Sequence, residues 1–168
     1  MKFLFWNIRG KPLGHLVRAM VDEHDVDIVV LAEWGQDPWG ILNALNARGA
    51  QRIFYTDDLP EQIAAEERAF FYNPMWGCLG DRDPGPPGTY YYDSPGHVPL
   101  FWNTFDQVLL RPDLLDMFDQ HSLQIVDRAG DVTLFDTRRG RPNHRDASDH
   151  LPILFSLDLE GGNAHERT

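Results

Sequence analysis

Cysteine is almost absent from this chain, with Cys78 the single one among 168 residues. No intrachain disulfide can form, and a zinc site built on cysteine thiolates is excluded. Cys78 itself reads as a small apolar core residue. Positive charge is also scarce, because 15 Lys and Arg stand against 26 Asp and Glu, leaving a formal net charge of −11. Proteins that grip long nucleic acid rely on many Lys and Arg contacts to phosphate, so long duplex binding is not expected. No apolar run approaches the ~20 residues of a membrane span. The residues before Asn7 and Arg9 are too few for the apolar region of a secretory leader, and a cytoplasmic location is the expectation.

What is present is a globular composition, 42% hydrophobic and 12% aromatic, in a chain long enough to bury one core. A single domain over residues 1–160 is expected, with a flexible tail over 161–168. No internal repeat interrupts it. Phe3 to Trp6 is apolar on both alternating faces, as an interior strand covered on two sides would be, and it ends at Asn7. Leu13, Leu16, Val17, Met20 and Val21 then recur at helical spacing, and Asp25 and Asp27 close that helix. Ile28 to Ala32 is a second β-branched, two-faced strand, delivering Glu33 and Trp34 at its end.

A second helix is predicted from Pro38 or Trp39 to Arg48 and a short strand from Arg52 to Thr56, before an acidic segment from Asp57 to Glu67. From Asn73 to Gly96 prolines and glycines are too dense for regular structure. Trp76, Tyr90, Tyr91 and Tyr92 make that stretch an ordered loop with something to bury. Thr104 to Leu110 reads as a strand with Asp106 near its start, followed by a helix from Pro112 through Phe118. Leu123 to Val126 and Val132 to Phe135 read as strands, and Asp136 to Ala147 as a basic loop. The chain then enters Ser148-Asp149-His150-Leu151-Pro152-Ile153, and Leu154 to Leu159 reads as a buried strand.

Asn7, Glu33, Asp106, Asp149 and His150 thus all fall at or beside strand ends, which a sheet can gather into one mouth. Glu33 and Asp149 offer the hard oxygens that Mg²⁺ or Mn²⁺ takes, Asn7 a neutral oxygen or a phosphate contact. Asp106 can accept the N–H of His150 and favour its imidazolium, which stabilises charge building on a phosphoryl oxygen. Each has an ordinary structural alternative, as turn residue, exposed strand end or loop partner. A serine hydrolase built on Ser148, Asp149 and His150 is discounted, because three consecutive residues cannot form the relay.

The ordered set Trp6-Asn7-Ile8, Asp27 to Glu33, Phe105-Asp106-Gln107-Val108-Leu109 and Ser148 to Ile153 resembles the endonuclease/exonuclease/phosphatase superfamily. The resemblance covers the first third and the last two fifths of the chain. It implies a two-sheet α/β sandwich, here reduced in its central part, with phosphoester hydrolysis dependent on Mg²⁺ or Mn²⁺ at one end. Glu33 and Asp149 would be the metal residues, and His150, Asp106, Asp149 and Asn7 the catalytic ones. Asn7, His150 and Asn103 would bind substrate, a phosphoester or nucleic acid. The family's Gly-Asp-x-Asn strand end has its nearest counterpart in Gly80-Asp81-Arg82-Asp83, which no apolar strand precedes and Pro84 follows. Because those residues position the nucleophile, their loss threatens rate more than metal binding. The alternative reading is a catalytically impaired relative that binds a ligand or protein through the aromatic, proline-rich loop from Asn73 to Trp102.

Overall fold

The computed structural model describes residues 1–33, 35, 72–75, 85–93 and 101–159. Among them the chain is mixed α/β, with one α-helix and several sheets. Strand β1 (Lys2–Asn7) lies inside a four-stranded sheet of order β2-β1-β10-β5. It runs parallel to β2 (Ile28–Ala32) and antiparallel to β10 (Ile153–Leu157), and β10 runs antiparallel to β5 (Phe118–Ile125).

The two apolar faces of β1 each meet a core of their own. Leu4 and Trp6, fully buried, pack with Leu16, Val17 and Met20 of helix α1 (Gly14–His24) and with Leu134, Leu151 and Leu154. Phe3 and Phe5 point the other way, toward Ile153, Leu157, Met75, Val108 and Leu110. Phe3 stacks on Phe155 at 5.0 Å between ring centroids. This two-sided burial is what a strand apolar at every position requires. The helix stops at Asp25, which takes the left-handed conformation (φ 54°) and donates its N–H to Val21.

Several expectations are corrected. Strand β2 is the outer strand of its sheet among the described residues, and Ile28 and Val30 are exposed rather than covered. Residues 104–110 form no ladder strand. Their side chains alternate between exposed and buried as an extended chain's do, but only Leu110 is paired, in a bridge with Tyr72. An alternating pattern reports extension and burial, whereas a strand also needs a neighbour to share hydrogen bonds. After Pro112 the chain takes a 3₁₀ helix (Pro112–Met117), and β5 begins at Phe118, earlier than Leu123.

The region read as a strand over 132–135 and a loop over 136–147 is built from two small hairpins. β6 (Arg128–Ala129) pairs with β7 (Val132–Thr133), and β8 (Phe135–Asp136) pairs with β9 (Arg141–Pro142). Gly130 and Gly140 supply the positive φ at which each reverses. Within the expected loop 73–96, Tyr90–Tyr91 form β3, paired with β4 (Trp102–Asn103). The helix expected from Pro38 or Trp39 to Arg48, the strand at 52–56, the acidic segment at 57–67, Cys78, Asp81, Asp83 and the tail at 161–168 lie outside the described residues. No helix among the described residues is long and apolar enough to cross a membrane.

Candidate functional site

The parallel pairing of β1 and β2 sets Asn7 opposite Ala32, so Glu33, one residue on, emerges beside Asn7. The Asn7 amide donates to Glu33 Oε1 at 3.0 Å. Two left-handed residues shape this corner, Arg9 (φ 51°) and Glu33 (φ 51°), a conformation that side chains other than glycine adopt at a cost. Hydrogen bonds from backbone donors hold it in place: the Arg9 N–H donates to Asn7 Oδ1 at 3.0 Å, and the Gly10 N–H to the Glu33 carbonyl at 2.7 Å.

Antiparallel pairing brings the Ser-Asp-His stretch to the same place. Phe5 lies opposite Ile153, so the residues preceding β10 run past the end of β1. Buried Ser148 donates its hydroxyl to the Asn7 carbonyl at 2.7 Å and accepts the His150 N–H at 3.2 Å. Its hydroxyl is a structural tether. The Trp6 indole N–H donates to the His150 carbonyl at 2.8 Å, fixing the histidine backbone from beneath. Asp149 pairs with Arg9, Oδ2 lying 2.5 Å from a guanidinium nitrogen.

His150 Nδ1 lies 2.6 Å from Asp106 Oδ2, across 44 residues of chain. Thr89, wholly buried, links the two segments. Its hydroxyl accepts the Asp106 N–H at 3.3 Å, and its carbonyl accepts the Leu151 N–H at 2.7 Å. Burial alone would lower the imidazole pKa. The hydrogen bond to Asp106, then the charges of Asp106, Asp149 and Glu33, outweigh burial and raise it above its ordinary value. With Nδ1 engaged by Asp106, Nε2 is the nitrogen left for a ligand in the cleft.

All six residues expected at the site, Asn7, Glu33, Asn103, Asp106, Asp149 and His150, line one cleft of about 860 Å³. The Asn103 carbonyl accepts the Thr89 N–H at 3.0 Å. Four further residues line it that were not expected among the hydrolase site residues: Arg9, Phe105, and Tyr90 and Tyr92 of the aromatic loop that the alternative reading made a binding surface. Arg9 carried a signal, two places past a polar strand end, and so did Phe105, which immediately precedes Asp106. The Tyr90 ring lies 4.6 Å from the His150 ring and 5.3 Å from that of Phe105.

The donor set suits a hard cation in part. Mg²⁺ is commonly held by one or two carboxylates with waters and substrate phosphate completing its shell. Glu33 retains one carboxylate oxygen beyond the one that Asn7 engages, and Asp149 can contribute once its Oδ2 parts from Arg9. Among the described residues, no three His, Cys, Asp or Glu side chains are grouped closely enough to hold an ion by themselves. No protein-family model matches the chain, and neither a curated protein nor a solved structure matches it.

Proposed function

We propose that this protein is a divalent-metal-dependent phosphoester hydrolase, a phosphodiesterase or nuclease-like enzyme on a reduced two-sheet α/β sandwich of the endonuclease/exonuclease/phosphatase kind. The observation that carries the reading is the Asp106–His150 pair, at 2.6 Å, in the same cleft as Asn7, Glu33 and Asp149. Five polar side chains from four separate stretches of chain meet where two strands end.

Held by Asp106, His150 presents Nε2 to a non-bridging phosphate oxygen as a charged donor, which stabilises the charge that builds as water attacks in line. Asn7 orients the Glu33 carboxylate by its 3.0 Å hydrogen bond. Glu33 and Asp149 would hold Mg²⁺ or Mn²⁺, which supplies charge neutralisation at the phosphate when bound. Arg9, paired with Asp149 and reaching into the cleft, adds a second positive group toward the substrate.

One observation favours the alternative of a catalytically impaired binding module: Asp149 is neutralised by Arg9 rather than turned to a neighbouring carboxylate. The two readings separate in one assay. Turnover of bis-p-nitrophenyl phosphate and of short single-stranded DNA, with Mg²⁺ or Mn²⁺, is expected to exceed that of a Glu33→Ala, His150→Ala double variant. Equal rates in protein and control would remove the enzyme reading.

A further inference from the structure

One wall of the cleft has no part in phosphate chemistry. It is aromatic and open to solvent. Phe105 is 65% exposed and Tyr92 is 53% exposed, although large apolar rings lose most by contact with water. Both flank Tyr90, whose ring lies 5.3 Å from Phe105 and 6.4 Å from Tyr92, at interplanar angles of 27° and 33°. Tyr90 in turn lies 4.6 Å from His150 at 37°. Tyr90 is therefore the common neighbour of three rings, two of them exposed and the third the histidine of the cleft.

The cluster is anchored by backbone. Tyr90 bridges His150 directly, β3 pairs with β4, and the Asp106 N–H is held by Thr89, so Phe105 and Tyr90 are tied to the frame that fixes the Asp106–His150 pair. An exposed ring on a rigid frame is a preorganised stacking surface, because little side-chain freedom remains to be lost on binding.

We propose that Phe105 and Tyr92 form a base-stacking subsite, and that the substrate is a nucleotide phosphodiester, either small or a short single strand. This rests on the phosphoesterase reading and narrows its substrate class. A flat π-system a few ångströms from the phosphate group it carries is what distinguishes nucleotides from lipid and sugar phosphoesters. The net charge of −11 argues for short strands over long ones, since few cations are available to follow an extended backbone. Stacking is indifferent to which base is present, so little sequence preference is expected.

The test compares a short oligothymidylate with the same sugar–phosphate chain lacking bases, by calorimetric titration of the full-length protein with Mg²⁺ present. The base-bearing strand is expected to bind about tenfold more tightly or better, and Phe105→Ala to abolish most of that difference while Phe105→Trp keeps it. Both rings are exposed, so these variants are expected to retain the parent's thermal midpoint. Equal affinity for the two chains, or a preference untouched by Phe105→Ala and Tyr92→Ala, overturns the subsite. Hydrolysis is read separately. Turnover of both chains at equal rates removes the subsite and leaves the phosphoesterase. Base-dependent binding without turnover retains the subsite and removes the enzyme.

Discussion

The carboxylate of Asp106 lies 2.6 Å from Nδ1 of His150, and both side chains are largely shielded, at 7% and 13% exposed. Thr89 ties Asp106 to the residue after His150, so the pair is held through backbone on both sides. A histidine so partnered keeps its proton to higher pH than it would in water, despite the opposing effect of burial.

That shift has a defined sign in stability. A pKa raised in the folded state contributes stability that is complete below the ordinary histidine value and is lost as pH rises through the folded one. Urea unfolding followed from about pH 5 to about pH 8 is expected to show this loss, and Asp106→Asn to flatten it. Nuclear magnetic resonance titration of the His150 ring checks the cause directly. A ring pKa unchanged in Asp106→Asn would refute the assignment.

Glu33→Gln keeps the side chain's shape and its hydrogen bond to Asn7 while removing a charge. Phosphodiester turnover is expected to fall by about a hundredfold or more and to need higher Mg²⁺ for half-maximal rate. Chelation by EDTA is expected to stop turnover of the parent protein, with recovery on adding Mg²⁺. Turnover that persists in EDTA contradicts the metal dependence.

Arg9 is predicted to compete with a cation for Asp149. Its guanidinium is mostly exposed, so Arg9→Gln is expected to change folding stability by less than about 1 kcal/mol. The same variant is expected to reach half-saturation at lower Mg²⁺ in a thermal-shift titration. An unchanged or weakened metal response would place Asp149 outside the metal site.

Gly88 has no room for a side chain. A Cβ built there falls 2.8 Å from the Asn103 carbonyl oxygen, a backbone atom that cannot move aside cheaply. Gly88→Ala is expected to cost about 1–3 kcal/mol in chemical denaturation by pushing β3 from β4. Since Thr89 is the next residue, His150 should also lose its raised pKa. A variant as stable as the parent would show that the two strands separate freely.

Much of the frame was legible because local chemistry is enough to specify it. Phe3 to Trp6 could be read as an interior strand from apolar residues on both faces, and the residues after Leu13 as a helix from their spacing. The motif residues were legible as types, since a polar residue at the end of an apolar run has few reasons to be there. The 104–110 segment shows the limit. Its alternation predicts extension, which occurs, but the ladder expected with it depends on a neighbour that the segment does not encode. Exposure of Ile28 and Val30 on β2 is of the same kind, because what covers a strand's face is set by other segments and not by the strand's own residues.

Asn7, Glu33, Asp106, Asp149 and His150 could be named from sequence as the polar residues worth watching, because their side-chain chemistry is carried by their identity. Their partners could not. That Asn7 would meet Glu33, Asp149 would meet Arg9 rather than a second carboxylate, and Ser148 would spend its hydroxyl on the Asn7 carbonyl follows from strand register and two left-handed corners. Residue identity sets what a group can bind. Which group lies within 3 Å of it is set by pairings between segments 26 to 141 residues apart, and no local pattern contains those.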